Sequence, residues 1–355
     1  MALPRSRRFL WAIFYTFSGI LLLLYTFSDL ISLSPCAFVY SKDNCYRGYL
    51  SEYSFDVDEA LHPDWMKTIP DDANITSLSI PGTHDTLTFD IRDELFQCQN
   101  NNLSAQLRAG MRYLDVRGRL VDDAIQIYHA EMFTGYSFVD VLTTVSAFLD
   151  AFPSEAIIMR LKEEGRPHGT NTITFEQAFL QHIEAEGQKH RFYAPQAKAF
   201  WPLPTLGTLR SGILLLQNFA APQSGPHGLV WGSKDMILED LWIIPSLEHL
   251  YMKWDAVEHA LTSAADPAND VNAALYLAHL SATVGVLPIQ AAAGGINGSV
   301  EGINDQTGRW LDRGSETGTG GRTGVVIIDF PGRALVDAVL ARNKGLAARG
   351  LDFDL

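Results

Sequence analysis

Cysteine is scarce in this chain. There are three cysteines in 355 residues and no Cys-x-x-Cys pair, so nothing reads as a thiolate zinc site. Positive charge is also short: 27 Lys and Arg face 41 Asp and Glu, for a net charge of −14. That balance excludes a protein that tracks nucleic-acid phosphates. It also opposes electrostatic docking on anionic lipid, so any membrane attachment must come from apolar contact. No internal repeat is visible. What is abundant is apolar residue, 47% of the chain, which is ample for a large core. The length exceeds an average domain but suits a single α/β barrel.

The one long apolar run is at the amino end. Arg5, Arg7 and Arg8 precede 19 uncharged residues, Phe9 to Phe27, and Asp29 closes the run. A bilayer needs about 20 residues, whereas a signal peptide's apolar region is usually about 7–15. Residues 1–29 therefore read as a transmembrane signal anchor, with a cleaved signal and secretion as the alternative. The basic flank keeps the amino end cytoplasmic and places the rest in the lumen or outside. Cys36 and Cys45 would then meet an oxidising compartment and could close a small loop, leaving Cys98 unpaired. The triplets starting at Asn74, Asn102 and Asn297 are glycosylation sequons consistent with that compartment. Residues 30–73 read as a polar juxtamembrane lead-in, in which Trp65-Met66 is expected to pack on the lower side of the following domain.

Residues 74–355 alternate strands with helices. Ser77–Ile80 reads as a strand ended by the turn Pro81-Gly82. Tyr113–Val116, Ile125–Tyr128 and Ile213–Leu216 read as strands, as do Leu275–Leu280 and Val325–Ile328, with a possible short one at Met236–Leu238. Ala156–Leu161 is a continuous apolar run, as a parallel strand covered on both faces requires. Helical spacing marks Leu103–Met111, Phe138–Phe152, Phe175–Glu186, Ser246–Ser263 and Ala334–Ala341. The segment Gly294–Gly324 is rich in Gly, Asn and Thr and reads as a long loop. Roughly eight strands with helical crossovers imply an α/β fold, an irregular TIM-type (β/α)8 barrel.

Chemistry gathers at the strand ends, where such barrels keep it. His84-Asp85 follows the first strand, Asp115-Val116-Arg117 closes the second, and His129 follows the third. Taken with their context, these residues resemble the X domain of phosphatidylinositol-specific phospholipase C, of the compact bacterial kind and its fungal relatives. The resemblance rests on Ser79-Ile80-Pro81-Gly82-Thr83-His84-Asp85, on Leu107 to Arg117, on Tyr128-His129, and on Pro153-Ser154-Glu155 leading into Ile157 to Lys162.

Cleaving an inositol phosphodiester needs a base for the neighbouring hydroxyl, an acid for the departing glycerol oxygen, and positive charge on the phosphate. Histidine suits both proton roles. The resemblance implies His84 as base oriented by Asp329, His129 as acid supported by Asp85, and Arg117 on the phosphate held by Asp115. Arg117 stands where calcium-dependent relatives place a metal ligand, so the resemblance implies no metal and no cofactor. Lys162 and Asp240 would contact the headgroup and Trp242 would stack on the sugar ring. One departure weakens inositol specificity: the family's basic residue after Ile213–Leu216 is replaced by Gln217. The partners expected are a phosphoinositide-type lipid and the membrane, with no nucleic acid. Two other readings stand beside this one. A metal-dependent barrel acting on another phosphodiester would want a second carboxylate where Arg117 stands. A catalytically silent binding module would be marked by loss of a histidine, and both are present.

Overall fold

The computed structural model describes residues 16, 18–20, 45–194, 202–222, 224–269, 274–316 and 320–346. The chain is first described at length in a small hairpin, β1 (Cys45–Tyr46) with β2 (Tyr49–Leu50). Then comes a curled sheet of β3 (Ser79–Thr83), β4 (Tyr113–Val121), β7 (Ile157–Glu163), β8 (Ile213–Asn218), β9 (Leu229–Val230), β10 (Met236–Glu239), β11 (Leu275–His279) and β12 (Gly324–Ile328). These eight are parallel, in the order β10-β11-β12-β3-β4-β7-β8-β9. The first and last strands of the sequence, β3 and β12, pair directly. Among the described residues β9 and β10 do not pair, so the barrel is open on that side.

Ile125–Tyr128 is not a barrel stave. It lies in β5 (Ala124–His129), which forms an antiparallel meander with the end of β4 and with β6 (Met132–Ser137). This extension carries His129 over the carboxyl end of the sheet. Pro81 and Gly82 do not end the first strand either; β3 runs through both. Pro81 meets the neighbouring segment through its carbonyl, which accepts from Arg112 N at 2.8 Å, so no amide is needed there. Gly82 is required by crowding: a Cβ at this position would stand 2.5 Å from Tyr113 Cβ. The backbones of β3 and β4 can approach only because that atom is absent.

Helices α1 (Leu103–Ala109), α2 (Phe138–Ala151), α3 (Phe175–Ala185), α4 (Leu206–Leu209), α5 (Leu250–Ala265), α6 (Pro288–Ala293), α7 (Ile303–Glu316) and α8 (Arg333–Ala341) complete the fold. Helix α2 begins with a capping box, Ser137 and Asp140 bonding reciprocally to backbone amides. Its face Val141, Leu142, Val145 and Leu149 buries against Leu114, Val116, Met159 and Leu161 of the sheet. The opposite face of the strands, with Ile80, Tyr113, Ile158, Leu214, Leu277 and Ile327, packs on Met66, Ile75 and Leu78. Strands covered on both faces explain the uninterrupted apolar runs.

Helix α7 overturns the expected loop at 294–324. Its Ile303 and Leu311 are fully buried. The lead-in is part of the fold from Cys45 onward, since Tyr53, Val57 and Ala60 join one core cluster and Met66 and Ile69 another. Trp65 donates from Nε1 to Gly110 O at 3.0 Å, and Met66 plugs the amino end of the barrel, as expected from the sequence. There the buried Arg112–Glu155 pair, 2.7 Å apart, ties elements together. Arg112 also donates to Pro63 O, and Glu155 accepts from Met66 N. Two residues of the recognition motifs are thus structural. The expected Cys36–Cys45 loop and the anchor at 9–27 lie largely outside the described residues. Among those described, no helix is long and apolar enough to cross a membrane.

Candidate active site

The carboxyl ends of the strands bring the predicted residues together. His84 and Asp85 follow β3, Asp329 follows β12, Asp115 and Arg117 lie on β4, and His129 ends β5. Strand register sets their spacing. Thr83 pairs with Ile328, which puts His84 beside Asp329. Arg117 pairs with Lys162, and Asp115 with Arg160. Alternation along β4 points Asp115 and Arg117 to the same face. Asp85 adopts a positive φ of 41°, a left-handed conformation that Asp tolerates better than most residues. Its amide donates to Asp115 Oδ2 at 3.3 Å.

Each imidazole is held at one nitrogen and presents the other. His84 Nδ1 lies 2.9 Å from Asp329 Oδ1, and its Nε2 lies 2.7 Å from Arg117 Nη2. The guanidinium can only donate, so Nε2 is the unprotonated nitrogen and Nδ1–H donates to Asp329. His129 Nδ1 donates to the Phe96 carbonyl at 2.8 Å, which turns its Nε2 toward Asp85 Oδ2 at 3.4 Å. The two rings stand edge-on with centroids 6.4 Å apart. Asp85 lies between them, 3.2 Å from His84 Nε2. Arg117 bonds Asp115 Oδ2 from Nε at 3.1 Å and from Nη2 at 2.9 Å, and Asp85 Oδ1 from Nε at 3.0 Å.

Burial and then the Arg117 charge hold His84 well below its ordinary pKa, which favours the neutral ring whose Nε2 lone pair accepts from Arg117. Burial alone would raise Asp115, but Arg117 and Arg160 overcome it and hold this carboxyl well below the usual range. Burial, then the like charge of Asp85, pushes Asp329 well up. Asp85 is raised by burial, against the pull of Arg117 and His129.

The expected substrate residues lie around this centre with looser ties. Lys162, next to last in β7, lies opposite Arg117 in register and pairs with Glu164 at 2.7 Å. Asp240 is exposed just past β10, its carboxylate 3.9 Å from His279 Nδ1. Trp242 is exposed on the same loop, and its carbonyl accepts from Thr283 N. Its ring is not among the described contacts of His84 or His129. Gln217 is buried and wired to its own loop, donating to Phe219 O and accepting from His227 N.

Three inward residues were not anticipated from the sequence. Arg160 is buried, with Nη1 3.4 Å from Asp115 Oδ1 and its guanidinium 3.9 Å over the Trp231 ring. The Asn218 amide, turned so that its oxygen faces Arg160, accepts from Nη2 at 2.8 Å. His279 donates from Nδ1 to the Glu239 carbonyl at 2.9 Å and stands edge-on to His84, centroids 6.3 Å apart. Cys98 is a buried free thiol behind His84. For Arg160 and His279 the available signal was a polar residue inside or ending an apolar strand, which also fits a purely structural partner; Cys98 lies in the loop between β3 and α1, where no such pattern marks it.

Two histidines flank a shared carboxylate, Asp85, and a guanidinium held by Asp85 and Asp115 touches one of them; such a group could exchange protons with a bound phosphodiester and offer it positive charge. The comparisons with known proteins agree. The X domain of phosphatidylinositol-specific phospholipase C matches residues 78–218. A 1-phosphatidylinositol phosphodiesterase of Listeria monocytogenes is 30% identical over 292 residues, 79% of this chain and 84% of the relative. One of Staphylococcus aureus is 24% identical over 325 residues, covering 83% of this chain and 99% of the relative. The solved phosphatidylinositol-specific phospholipase C of Listeria monocytogenes superposes with a TM-score of 0.65, at 30% identity, over 79% of this chain and 98% of that one. The chain belongs to the phosphatidylinositol-specific phospholipase C X-domain family, and its fold is that family's TIM-barrel-like fold.

Proposed function

We propose that this protein is a phosphatidylinositol phospholipase C-type phosphodiesterase that works by paired histidines without a metal. The observation that carries this reading is the placement of both His Nε2 atoms around Asp85, with Arg117 touching His84. His84 Nε2 takes the proton of the inositol hydroxyl next to the phosphate. That oxygen attacks phosphorus, and the bond from phosphorus to the glycerol oxygen breaks. His129 Nε2–H gives its proton to that oxygen, releasing diacylglycerol and a cyclic inositol phosphate. Asp329 fixes the His84 tautomer, and Asp85, 3.4 Å from His129 Nε2, orients that nitrogen. Arg117 presents a planar donor pair to the phosphate oxygens and is itself aimed by Asp115.

Lys162 and Asp240 serve the ring hydroxyls in this reading, and Trp242 the sugar face. Arg160 restores a cation on the strand beside Gln217, since Arg160 pairs with Leu216 in register. Leu241, Trp242, Ile243 and Val284 form an exposed apolar rim next to the β10 and β11 ends, Ile243 bridging to Val284. Such a rim suits a lipid-facing mouth. We further read residues 1–29 as a membrane anchor and the remainder as lumenal or extracellular, with secretion after signal cleavage as the alternative. The sequon residues Asn102 and Asn297 are exposed, consistent with modification in that compartment. The decisive test is a panel of radiolabelled phosphodiester lipids, assayed with and without chelator. Release of water-soluble inositol phosphate from phosphatidylinositol or a glycosylated inositol lipid is expected. Turnover of a non-inositol diester alone would move the assignment to another substrate, and no turnover at all would favour a binding module.

A further inference from the structure

One thiol lies behind the site and has no part in the chemistry above. Cys98 is fully buried and its backbone is pinned on both sides. Its amide donates to Thr88 Oγ1 at 3.1 Å, and its carbonyl accepts from Phe330 N at 2.8 Å. Its Sγ, a ring nitrogen of His84 and a carboxylate oxygen of Asp329 all lie within 4.8 Å of one another. Thiolate, imidazole and carboxylate are the donor types that tetrahedral zinc takes. The same thiol also lies within 4.8 Å of ligand atoms of Asp85 and His129.

A second observation points to a cation. Asp329 is only 1% exposed, and while Oδ1 takes the His84 proton, Oδ2 has no hydrogen-bond partner. A buried carboxylate oxygen without a donor is costly, and a bound cation would satisfy it. Asp85 is less available, because its Oδ1 is committed to Arg117 at 3.0 Å. The Asp329 side of His84 is the edge away from that guanidinium, where a positive ion meets less repulsion.

We propose that His84, Cys98 and Asp329 form an inhibitory site for a thiophilic divalent cation such as Zn²⁺ or Cd²⁺. The ion binds His84 through Nδ1, Asp329 through a carboxylate oxygen and Cys98 as thiolate. A fourth position is left to water. Binding releases the thiol proton to solvent, and with it any proton that the Asp329 carboxyl holds. The remaining imidazole proton of His84 moves from Nδ1 to Nε2, where Asp85 Oδ2, 3.2 Å away, accepts it in place of the Arg117 donation. The lone pair that accepts the substrate proton is thereby lost, which is how an ion behind the ring stops a reaction in front of it. Oxygen-seeking Ca²⁺ and Mg²⁺ gain little from a sulfur and nitrogen donor set and leave the enzyme active. The inhibitory consequence rests on His84 being the base; the binding itself does not.

The experiment titrates the full-length enzyme and its Cys98→Ser and Cys98→Ala variants with CdCl₂, following the ultraviolet charge-transfer band of a cadmium–thiolate bond. The same proteins are assayed with ZnCl₂, CaCl₂ and EDTA. The parent protein is expected to show a saturable band at one equivalent, and Zn²⁺ should inhibit it reversibly on adding EDTA. Each variant should keep its metal-free activity, lose the band and need about tenfold more Zn²⁺ or beyond for equal inhibition. Serine keeps the side-chain volume, so a folded variant is available if alanine opens a cavity. No band in the parent protein overturns the site. Equal Zn²⁺ sensitivity in parent and Cys98→Ser overturns the role of the thiol. A protein that binds Cd²⁺ through Cys98 but hydrolyses no inositol lipid keeps the site and removes only its proposed consequence.

Discussion

Arg117 Nη2 donates to His84 Nε2 across 2.7 Å. The residue proposed to hold the phosphate thus occupies the lone pair that the proposed chemistry needs. A phosphate drawing the guanidinium toward its own oxygens would free that nitrogen at the moment the substrate hydroxyl arrives. Arg117→Lys keeps a charge but loses the planar donor pair held by Asp115. It is expected to lower turnover by about 10²–10³-fold with the folded state intact, measured as kcat on phosphatidylinositol vesicles. A lysine variant at parental rate would remove Arg117 from the mechanism.

The division of labour between the histidines is testable by leaving group. His84→Ala and His129→Ala should each cost about 10²–10⁴-fold. A substrate whose leaving group is a better one than glycerol should partly rescue His129→Ala, because only the acid assists departure. His84→Ala should stay slow on both substrates. Rescue of the two variants to the same extent would show that the roles are not separated in this way.

Arg117 also motivates an expectation about metals. Its guanidinium lies within 3.0 Å of Asp85 and 2.9 Å of Asp115, the two carboxylates a calcium ion at this position would use. Turnover in excess EDTA should equal or exceed turnover without it, and added Ca²⁺ should not raise it. An absolute calcium requirement would defeat the reading.

The parts of the fold that could be read in the sequence were those whose physics acts locally. Ala156–Leu161 and Val325–Ile328 could be read as strands because both faces are covered, which leaves an unbroken apolar run. Helix α7 could not. Gly308 lies inside it because a Cβ there would stand 2.1 Å from Tyr53 Cδ1, so the residue that argued for a loop serves a long-range contact with the lead-in. The strand through Pro81 was hidden for a similar reason: its one usable backbone group is satisfied by a residue 31 positions away, Arg112. At the site, His84, Asp115 and Arg117 stood out through motif spacing. Arg160 and His279 did not, because a lone polar residue in an apolar run becomes informative only when its neighbours across the barrel are known.

His279 carries a pH signature of its own. Its pKa is lowered from 6.5 to about 4, by burial first. Asp240 and Asp115 oppose that shift and Arg160 adds to it. The unfolded chain then binds a proton at a pH where the folded chain does not. The stability tied to a neutral His279 is present in full above about pH 6.5 and is lost progressively as pH falls toward about 4. His279→Asn keeps a donor for the Glu239 carbonyl and cannot be protonated. The difference in urea midpoint between the parent and His279→Asn should change between pH 7 and pH 4.5, with the parent losing more. A difference that is constant with pH would mean that the imidazole is not held neutral by the fold.

The amino end offers the last expectation. The 19 uncharged, mostly apolar residues after Arg5, Arg7 and Arg8 are long enough to cross a bilayer, and in that reading the basic flank would set the direction. Alkaline carbonate should leave the protein in the membrane pellet. Protease added to sealed vesicles should spare the barrel, since the chain after residue 29 is expected on the lumenal side. Glycosidase should shift mobility if Asn74, Asn102 or Asn297 is modified; Asn102 already caps α1 by accepting from Ala105 N, so a glycan there must extend from the solvent side of the cap. A soluble mature protein beginning between residues 28 and 40 would reject the anchor and keep the secretory route. A barrel digested in sealed vesicles and never glycosylated would reject both, and would place its lipid substrate on the cytoplasmic leaflet.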